Sequence, residues 1–517
     1  MQPMERPVRR PFHRWTGARL VRRPLRTRRT VAVMHALRIF VRLLPLVVSL
    51  LRDRRRWIWR GAPLERSAAF HQRRADRLVE TVAGLGPTFV KLAQVFAARA
   101  DLVPEPYLSS LGTLVDRVPP VPVAEVRREI EAAYERPLGE VFERFDDDPV
   151  ASASLGQVHR ARWRGREVAV KVLRPGVEEL VRQDLVAARR LLDLLEPRFP
   201  RNPHVRGMRP VLEEFAERIA EELDMRQEAA YSEEVRANLS RDRRVLIPAV
   251  MPELVRRRVL ASEFVEGRRI DRLDDWAADG RVRPMDTVRT VMELYIQMML
   301  VDGLFHADPH PGNLLVSPDG RVVLVDFGMV VRVPVELRRI LMRTVYAGIR
   351  RDVDGLVDGF YALRLVDEAL ADRATITTLV SKLLGLAHEE MTGAEKAAKA
   401  EVLAGEVLRE LNGWPILLPR EMVYFARTAA LIEGLGTRYD PYFNPILFAG
   451  PIALRMRSRV MAALGETDTG VPVELGDIAA AAGGLLGAVA GVVYRASREI
   501  AAIVKERVEL AAAAAAS

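Results

Sequence analysis

The sequence predicts an α+β fold in which a small mixed lobe precedes a larger helical lobe. Helix and strand patterns alternate over residues 129–265. Within this range, β-branched residues alternate on both sides of Arg164-Gly165, which predicts a hairpin. Residues 176–240 are rich in Leu and paired charges, and beyond residue 285 the pattern is again mainly helical. The 517 residues suffice for two or three domains with full cores.

The composition is that of an ordinary folded protein, with 49% hydrophobic and 29% charged residues. Cysteine is absent, which excludes disulfides and thiolate metal sites. The net charge of +10 is concentrated at one end, because residues 1–60 hold 17 Arg against two acidic residues. This arm carries +15 and leaves about −5 for residues 61–517. Anionic lipid and nucleic acid are both candidate partners for the arm.

The arm contains an apolar segment, residues 31–51. Arg38 and Arg42 interrupt it one helical turn apart, and Pro45 follows Arg42 within the segment. Two arginines near the middle of a membrane span would be costly. An interfacial amphipathic helix with snorkelling arginines is favoured, and packing on the protein's own body is the alternative. The region lacks a small-residue cleavage site, so no signal peptide is predicted. We expect no nucleic acid partner, since the arm has few aromatic residues and no recognisable binding fold.

The remaining organisation follows from turn signals. Residues 63–118 are expected to be helical, with a turn at 84–88 and a Pro-rich break at 101–107, and residues 116–126 are expected to form a linker. The expected units are a basic amphipathic arm (1–62), a helical extension (63–128), the small lobe (129–265), the helical lobe (266–470) and an apolar C-terminal helical tail (471–517).

The tail contains an uncharged run, residues 478–494, in which Gly483, Gly487 and Gly491 recur every four residues. This spacing places a glycine groove on one helix face, where a second helix can approach closely, including that of a homodimer partner. The run is 17 residues long, at the short limit for a membrane span. A span, a membrane-edge helix and a soluble packing helix remain open.

The stretch "GLFHADPHPGNLLVSPDGRVVLVDFG", residues 303–328, carries the strongest chemical signal. Asp308 and Asn313 are five positions apart, which is the spacing of a kinase catalytic loop. Asp326 follows an apolar strand in Asp-Phe-Gly, where a carboxylate suits Mg²⁺. We therefore predict that Asp308 positions the attacking oxygen and that Asn313 and Asp326 hold the metal. His306 is expected to be a structural residue that bonds backbone.

Upstream, Lys171 lies in "VAVK" on the second strand of the hairpin. A lysine there can hold the α- and β-phosphates of ATP when a helix carboxylate orients it, and Glu228 is the candidate carboxylate. The segment before the hairpin departs from the kinase pattern, because Ala and Ser replace all but one of the expected glycines and Gly156 remains. After Asp-Phe-Gly the chain runs directly into a helix, without a long activation loop. A docking surface for a protein substrate is therefore hard to build.

These motifs resemble the UbiB family of atypical protein-kinase-like ATPases, which is associated with isoprenoid quinone synthesis. The resemblance covers about residues 63 to 460. It implies a bilobal protein-kinase-like fold with a small mixed N-lobe, a helical C-lobe and an N-terminal helical lid over the active site. The cofactors implied are ATP and Mg²⁺. The family's Ala-rich loop corresponds to residues 151–154, and its catalytic loop to "HADPHPGN". The implied ATP-binding residues are Val150, Ala151, Ser152, Ala153, Ser154, Val158, Lys171, Glu228, Glu263 and Val265.

The family's Lys-x-Gly-Gln signature corresponds to Lys91-Leu92-Ala93-Gln94, with Ala93 in place of Gly. The resemblance implies that Lys91 approaches a Glu-x-Asp pair, here Glu222 and Asp224, and that Gln94 also belongs to the lid. Residues two positions apart do not share a helix face, so both carboxylates reach one site only if the helix bends or ends there.

We therefore expect a membrane-associated atypical kinase or ATPase, with Asp308 and Lys171 as the catalytic pair, supporting isoprenoid quinone or related prenyl-lipid synthesis. The alternatives are a kinase acting on a small molecule, lipid or protein, and a nucleotide-gated scaffold without turnover. Binding of ATP places the kinase body on the cytoplasmic side. The charges around residues 478–494 favour the opposite orientation for a single span, and a surface-lying or paired helix avoids that conflict.

Overall fold

A computed structural model of the protein describes most of the predicted lobes. The described residues are 37, 39–46, 49, 67–97, 103, 106–112, 114, 120–198, 203–365, 373–386, 420–440, 443 and 445–465. The glycine-rich run 478–494 lies outside them, as does most of the basic arm. Within the described ranges, no helix combines the length and apolar character required to cross a membrane.

The helices are α1 (Ala68–Leu85), α2 (Pro87–Ala97), α3 (Tyr107–Gly112), α4 (Val123–Tyr134), α5 (Leu138–Val141), α6 (Val177–Leu195), α7 (Pro203–Glu222), α8 (Met225–Asn238), α9 (Asp274–Ala278), α10 (Pro284–Ile296), α11 (Val335–Arg350), α12 (Val353–Ala362), α13 (Arg373–Leu386), α14 (Arg420–Tyr439) and α15 (Pro445–Leu464). The strands are β1 (Arg144–Ser152), β2 (Gly156–Trp163), β3 (Arg166–Leu173), β4 (Val245–Leu246), β5 (Val259–Glu263), β6 (Arg268–Arg269), β7 (Leu304–His306), β8 (Leu314–Val316), β9 (Val322–Leu324) and β10 (Val330–Arg332).

The helical extension consists of α1, α2 and α3. Ser67 caps α1 by accepting from the Phe70 amide, and Gly86 ends the helix at φ 113°, a backbone conformation that favours glycine. Pro87 then begins α2, which confirms the predicted turn. The three helices pack around a shared apolar cluster that includes Leu85, Phe89, Ala93 and Leu111.

The helical part of the arm also packs on this cluster. Ile39 is 2% exposed within it, and Arg42 Nη1 donates to the Gly84 carbonyl at 2.8 Å. The helix of the arm therefore packs on the protein's own body with the face that carries Ile39, as the alternative prediction had it. Leu37 and Val41, one helical turn apart, remain 58% and 59% exposed on another. The segment therefore has apolar residues on two faces, one packed against the body and one facing solvent.

The N-lobe is built on an antiparallel sheet of order β1-β2-β3-β5. Arg164 and Gly165 both have positive φ, 47° and 73°, which matches a tight two-residue hairpin turn and confirms the predicted hairpin. Helix α4 packs on this sheet through Val126 and Ile130. It begins at Val123, inside the expected linker 116–126, and crosses the predicted boundary between residues 128 and 129. The interpretation of 123–126 as linker was wrong, because the buried face of this helix is part of the N-lobe core.

The alternation of side chains along the sheet separates two cores. Val170 and Val172 of β3 pack with α4 in one cluster, whereas Leu260 of β5 packs with α6 and α7 in the other. The lid helix α2 joins this second cluster through Leu92 and Val95. The lid is therefore attached to the helical side of the N-lobe.

The C-lobe core surrounds the catalytic stretch. Strand β7 pairs with β10, and a second sheet has the order β4-β9-β8-β6. Strands β8 and β9 flank the predicted turn around Gly320. Leu304, Phe305, Leu314 and Leu324 of these strands are each at most 1% exposed and pack against α10, α14 and α15. Because the strands are buried, the polar residues at their ends are held in fixed positions.

Candidate functional site

Lys171 is the centre of the site. From β3 it donates to both carboxylate oxygens of Glu228, at 2.7 and 2.9 Å, and to Asp326 Oδ1 at 2.9 Å. The predicted ion pair between Lys171 and Glu228 is therefore confirmed. Val158 is directly opposite Lys171 in the β2–β3 pair, so the two side chains share one sheet face. Neighbouring residues in β3 point to the opposite core, which directs Lys171 into the space between the lobes.

Electrostatics keep Lys171 and Asp326 charged. Burial alone would lower the pKa of Lys171, but Asp326 and Glu228 raise it above its ordinary value. Burial opposes ionisation of Asp326, yet Lys171 holds the pKa of that carboxyl below its usual range. For Glu228, burial dominates and raises the pKa in spite of Lys171. Lys171 is thus a cation and Asp326 a carboxylate at neutral pH.

Asp326 has a special backbone conformation. Its φ is 63°, a left-handed value that few non-glycine residues adopt and that Asp tolerates comparatively well. The conformation is held by His306 Nε2, which donates to the Asp326 carbonyl at 2.8 Å, and by the Gly328 amide, which donates to Oδ1 at 3.1 Å. The predicted structural role of His306 is confirmed. Within the described part of the chain, Asp326 Oδ2 accepts no protein hydrogen bond.

The catalytic loop lies beside Asp326. Asn313 Nδ2 donates to Asp308 Oδ2 at 2.9 Å and to the Asp308 carbonyl at 3.2 Å. The Asn313 carbonyl accepts from the Val325 amide at 3.0 Å, which brings Asn313 next to Asp326 across the strand pair. His310 accepts from the Gly312 amide at 2.9 Å and so helps to shape the turn between them.

The donor set fits Mg²⁺. Asp326 offers a carboxylate oxygen and Asn313 an amide oxygen, and both are the hard ligands that this ion prefers. Two protein ligands leave coordination positions for phosphate oxygens and water. The described residues contain no group of three or more His, Asp or Glu side chains arranged to hold a metal. When bound, the ion would neutralise phosphate charge, and these residues would supply two of its ligands.

The lid reaches the same place through the ion pair of Lys91 with Glu222. Their side chains are 21% and 11% exposed. A β-carbon added to Gly328 would lie 3.8 Å from Glu222 Cγ, so this carboxylate borders the Asp-Phe-Gly motif. Burial raises the pKa of Glu222 in spite of Lys91. Gln94 Nε2 donates to the Leu114 carbonyl at 3.1 Å, which ties α2 to the chain that follows α3.

Ala93 does not push the lid away from the body. It is 6% exposed, and its methyl group packs within the apolar cluster of the extension. The cluster thus accommodates the methyl group that this chain has in place of the family's glycine.

Asp224 does not join this pair. Helix α7 ends at Glu222, and Asp224 becomes the N-cap of α8, where Oδ1 accepts from the Arg226 amide at 3.1 Å. Both carboxylate oxygens also accept from the Arg226 guanidinium, at 2.8 and 2.6 Å. The expectation that Asp224 contacts the lid was wrong, because the helix break turns its side chain to the start of the next helix.

The Ala-rich loop, residues 151–154, is held by a residue that was not predicted from the sequence. Arg174, just after β3, donates to the Ala153 carbonyl at 3.0 Å and to Ser152 Oγ at 2.9 Å. Ser154 is fully buried. The remaining glycine, Gly156, has a packing reason, since a β-carbon there would lie 2.6 Å from the Val172 carbonyl oxygen. The "VLRPG" context of Arg174 gave no signal of this role.

Other predicted ATP-site residues lie on the N-lobe sheet and in the segment that follows it. Val150 in β1 is 58% exposed, and Ala151 follows it near the strand's end. Glu263 ends β5 and pairs with Val168, and Val265 follows in the segment that leads to the C-lobe. A further missed residue is Arg427 of α14, whose Nη2 lies 3.4 Å from Asp308 Oδ1. Only the packing of α14 against the catalytic loop brings it there.

The comparisons with known proteins agree with this geometry. The ABC1 atypical kinase-like domain matches residues 113–359. Protein sll0095 of Synechocystis is 31% identical over 477 residues, which cover 90% of this chain and 79% of that protein. The protein named ACTIVITY OF BC1 COMPLEX KINASE 8, chloroplastic, of Arabidopsis thaliana is 30% identical, over 74% of this chain. The chain therefore belongs to the ABC1/UbiB family of atypical kinase-like proteins, and its fold is kinase-like.

The extent of these matches differs. The chain spans only about half the length of the Arabidopsis relatives. It covers 54% of ACTIVITY OF BC1 COMPLEX KINASE 8 and 53% of ACTIVITY OF BC1 COMPLEX KINASE 3. A solved structure, titled the complex of Rv3197 with erythromycin from Mycobacterium tuberculosis, is 25% identical with a TM-score of 0.45. That match covers 71% of this chain and 92% of the other.

Proposed function

We propose that the protein binds Mg²⁺–ATP in the cleft around Lys171 and transfers or hydrolyses its γ-phosphoryl group in association with a membrane. The observation that carries this proposal is the joint contact of Lys171 with Glu228 and Asp326. Such a lysine holds the α- and β-phosphates, and a carboxylate at Asp326 holds the metal. Phosphoryl transfer needs little more from a protein than positioned cations and a positioned nucleophile.

The individual roles follow from position. Lys171, oriented by Glu228, holds the phosphates, and Asp326 and Asn313 hold the metal. Asp308 accepts the proton of the attacking oxygen, and its 39% exposed side chain leaves room for an acceptor. On the far side of the cleft, the backbone around Glu263 and Val265 borders the nucleotide base.

The carboxylates of the site support a divalent cation. The two lysines, Lys91 and Lys171, face three carboxylates, those of Glu222, Glu228 and Asp326. Asp326 is the carboxylate whose pKa Lys171 lowers, so it is the charged oxygen ligand that a bound cation would take. Asp326 Oδ2, which accepts no hydrogen bond within the described residues, would be the oxygen available to the ion.

Two features support an acceptor other than a folded protein. The chain after Asp-Phe-Gly passes through β10 and enters α11 at Val335, so the segment available for docking a peptide is short. The lid places Lys91 beside the Asp-Phe-Gly motif through its pair with Glu222. A water molecule or a small or lipid alcohol reaches Asp308 more easily than a protein side chain would.

The membrane part of the proposal rests on the arm. Leu37 and Val41 present an apolar face to solvent beside a strongly basic sequence, which suits the interface of an anionic membrane. The family resemblance links this to isoprenoid quinone or related prenyl-lipid synthesis. If that pathway is served, loss of the gene lowers quinone or prenyl-lipid levels, and unchanged levels refute the assignment.

The direct experiment measures phosphate release from Mg²⁺–ATP by the full chain, with and without anionic liposomes. Asp326→Asn should reduce release by about 10²-fold or more, because it removes the metal carboxylate. The matched control is Asp319→Asn, in the β8–β9 turn of the same stretch, where the carboxylate pairs with Arg321 at the surface. This control should retain full activity.

The outcomes separate the candidate functions. Release that increases with liposomes and disappears in Asp326→Asn supports a membrane-coupled ATPase. Transfer of label from γ-labelled ATP to a specific acceptor, lost in Asp308→Asn, supports a kinase. Nucleotide binding without release or transfer contradicts the enzymatic proposal and leaves a nucleotide-gated scaffold.

A further inference from the structure

Arg427 lies on the catalytic face of α14. Its Nη2 is 3.4 Å from Asp308 Oδ1, and the two side chains are 41% and 39% exposed. Among the residues that the structure describes, it is the one cation in contact with Asp308. This distance is longer than that of a usual N–H···O hydrogen bond, so the guanidinium contacts the carboxylate only weakly.

Neighbouring residues fix α14 in this position. The ring of Phe425 meets that of Phe305, two residues before the catalytic loop's Ala307, edge-on at 5.3 Å between centroids. Thr428, the next residue after Arg427, is 5% exposed. The guanidinium of Arg218 on α7 lies 5.7 Å from the ring centroid of Tyr424. The helix is therefore anchored to both the catalytic loop and the helix that carries the lid's partner Glu222.

The two lysines of the site pair with carboxylates other than Asp308. Lys171 is bound by Glu228 and Asp326, and Lys91 is paired with Glu222. On the acceptor side of the metal, charge spreads over the γ-phosphoryl oxygens in the transition state, and an arginine is well suited to bind it. Arg427 lies 3.4 Å from Asp308, the carboxylate that receives the acceptor's proton in the proposed reaction.

We propose that Arg427 leaves Asp308 when Mg²⁺–ATP binds and contacts the γ-phosphoryl group during transfer. In that step the bond between the γ-phosphorus and the bridging oxygen breaks, and its electron pair leaves with ADP. The oxygen of water or an alcohol forms the new bond to phosphorus, and its proton passes to Asp308. Arg427 stabilises the transferring group and takes no proton. This inference rests on the proposed function and adds a residue outside the matched family domain, residues 113–359.

Binding measurements test the assignment independently of turnover. The probes are Mg²⁺–ADP alone and Mg²⁺–ADP with aluminium fluoride, which mimics the planar transferring phosphoryl group. For Arg427→Met we expect unchanged affinity for Mg²⁺–ADP and about 10²-fold weaker binding of the aluminium fluoride complex, the usual cost of losing one transition-state donor. Arg427→Lys should recover part of the loss, because it keeps a point charge without the planar fork.

The matched control is Arg438→Met on the same helix, which removes an ion pair with Asp274 at 2.6 Å. It should bind both probes like the unmodified protein. Thermal unfolding checks that Arg427→Met and the unmodified protein are both folded. If the two then bind the aluminium fluoride complex equally, the inference about Arg427 is refuted and the proposed function is not. Failure of the unmodified protein to bind Mg²⁺–ADP overturns the proposed function and this inference with it. Weaker binding of both probes by Arg427→Met also contradicts it, since the role would then be general to the cleft.

Discussion

The ion pair between Lys91 and Glu222 predicts that removal of the lysine charge weakens the attachment of the lid. The substitution Lys91→Met keeps the length and apolar stem of the side chain while it removes the charge. Leu92 and Val95 still pack on the helical side of the N-lobe, so the substitution weakens the lid's attachment without removing it. The change should therefore open α2 locally and leave the lobes folded.

The burial of the pair sets the size of the effect. An exposed ion pair contributes about 0–1 kcal/mol, whereas removal of one partner of a buried pair costs about 3–5 kcal/mol. With exposures of 21% for Lys91 and 11% for Glu222, this pair is close to the buried limit, and we expect about 3 kcal/mol. Since 1.4 kcal/mol is a factor of ten, amides of α2 should exchange roughly 10²-fold faster.

Native-state hydrogen exchange over Pro87–Ala97 measures this directly. The matched control is Arg189→Met, which removes an ion pair between α6 and α7 whose side chains, Arg189 and Glu213, are 39% and 44% exposed. This control should change exchange in α2 by less than about threefold. Adding Glu222→Gln to Lys91→Met should recover most of the loss, because no uncompensated charge then remains.

Unchanged exchange of α2 in Lys91→Met would refute the reasoning, since the lid would then be held by apolar packing alone. A loss of protection across the whole protein would also contradict it, because the pair would then stabilise the lobes and not the lid.

Two further predictions concern Gly156, which begins β2, and the buried His306, which ends β7. Gly156→Ala should lower the unfolding free energy by about 1–3 kcal/mol in chemical denaturation, because its β-carbon would lie 2.6 Å from a backbone oxygen of Val172. Gly139→Ala, with nothing within 4 Å of the added carbon, should not be destabilising, and equal losses would disprove the packing argument. Burial lowers the pKa of His306, so below pH 6.5 the unfolded chain binds a proton that the folded chain does not, and stability falls as the pH decreases. His306→Gln should reduce that dependence by up to about 1.4 kcal/mol per pH unit in denaturation between pH 7 and 5, and an identical slope in the two proteins would contradict it.

The sequence predicted the chemistry of the site because the relevant motifs are local. Asp308, Asn313 and Asp326 lie within one stretch whose turns and apolar strands fix their relative positions. Lys171 and Glu228 are far apart in sequence, but each belongs to a pattern with a known partner type. The hairpin, the lid helices and the short connection after Asp-Phe-Gly were also predictable, since each depends on periodicity or on a turn residue.

The tertiary structure alone decided what depends on how helices meet. The break between α7 and α8 separates Glu222 from Asp224, and two residues of spacing in the sequence do not reveal which carboxylate turns toward Lys91. Arg427 comes within 3.4 Å of Asp308 across 119 residues because an aromatic contact seats its helix on the catalytic loop. No periodicity encodes such a contact. Local patterns therefore determined which groups the site contains, and long-range packing determined which charges surround them.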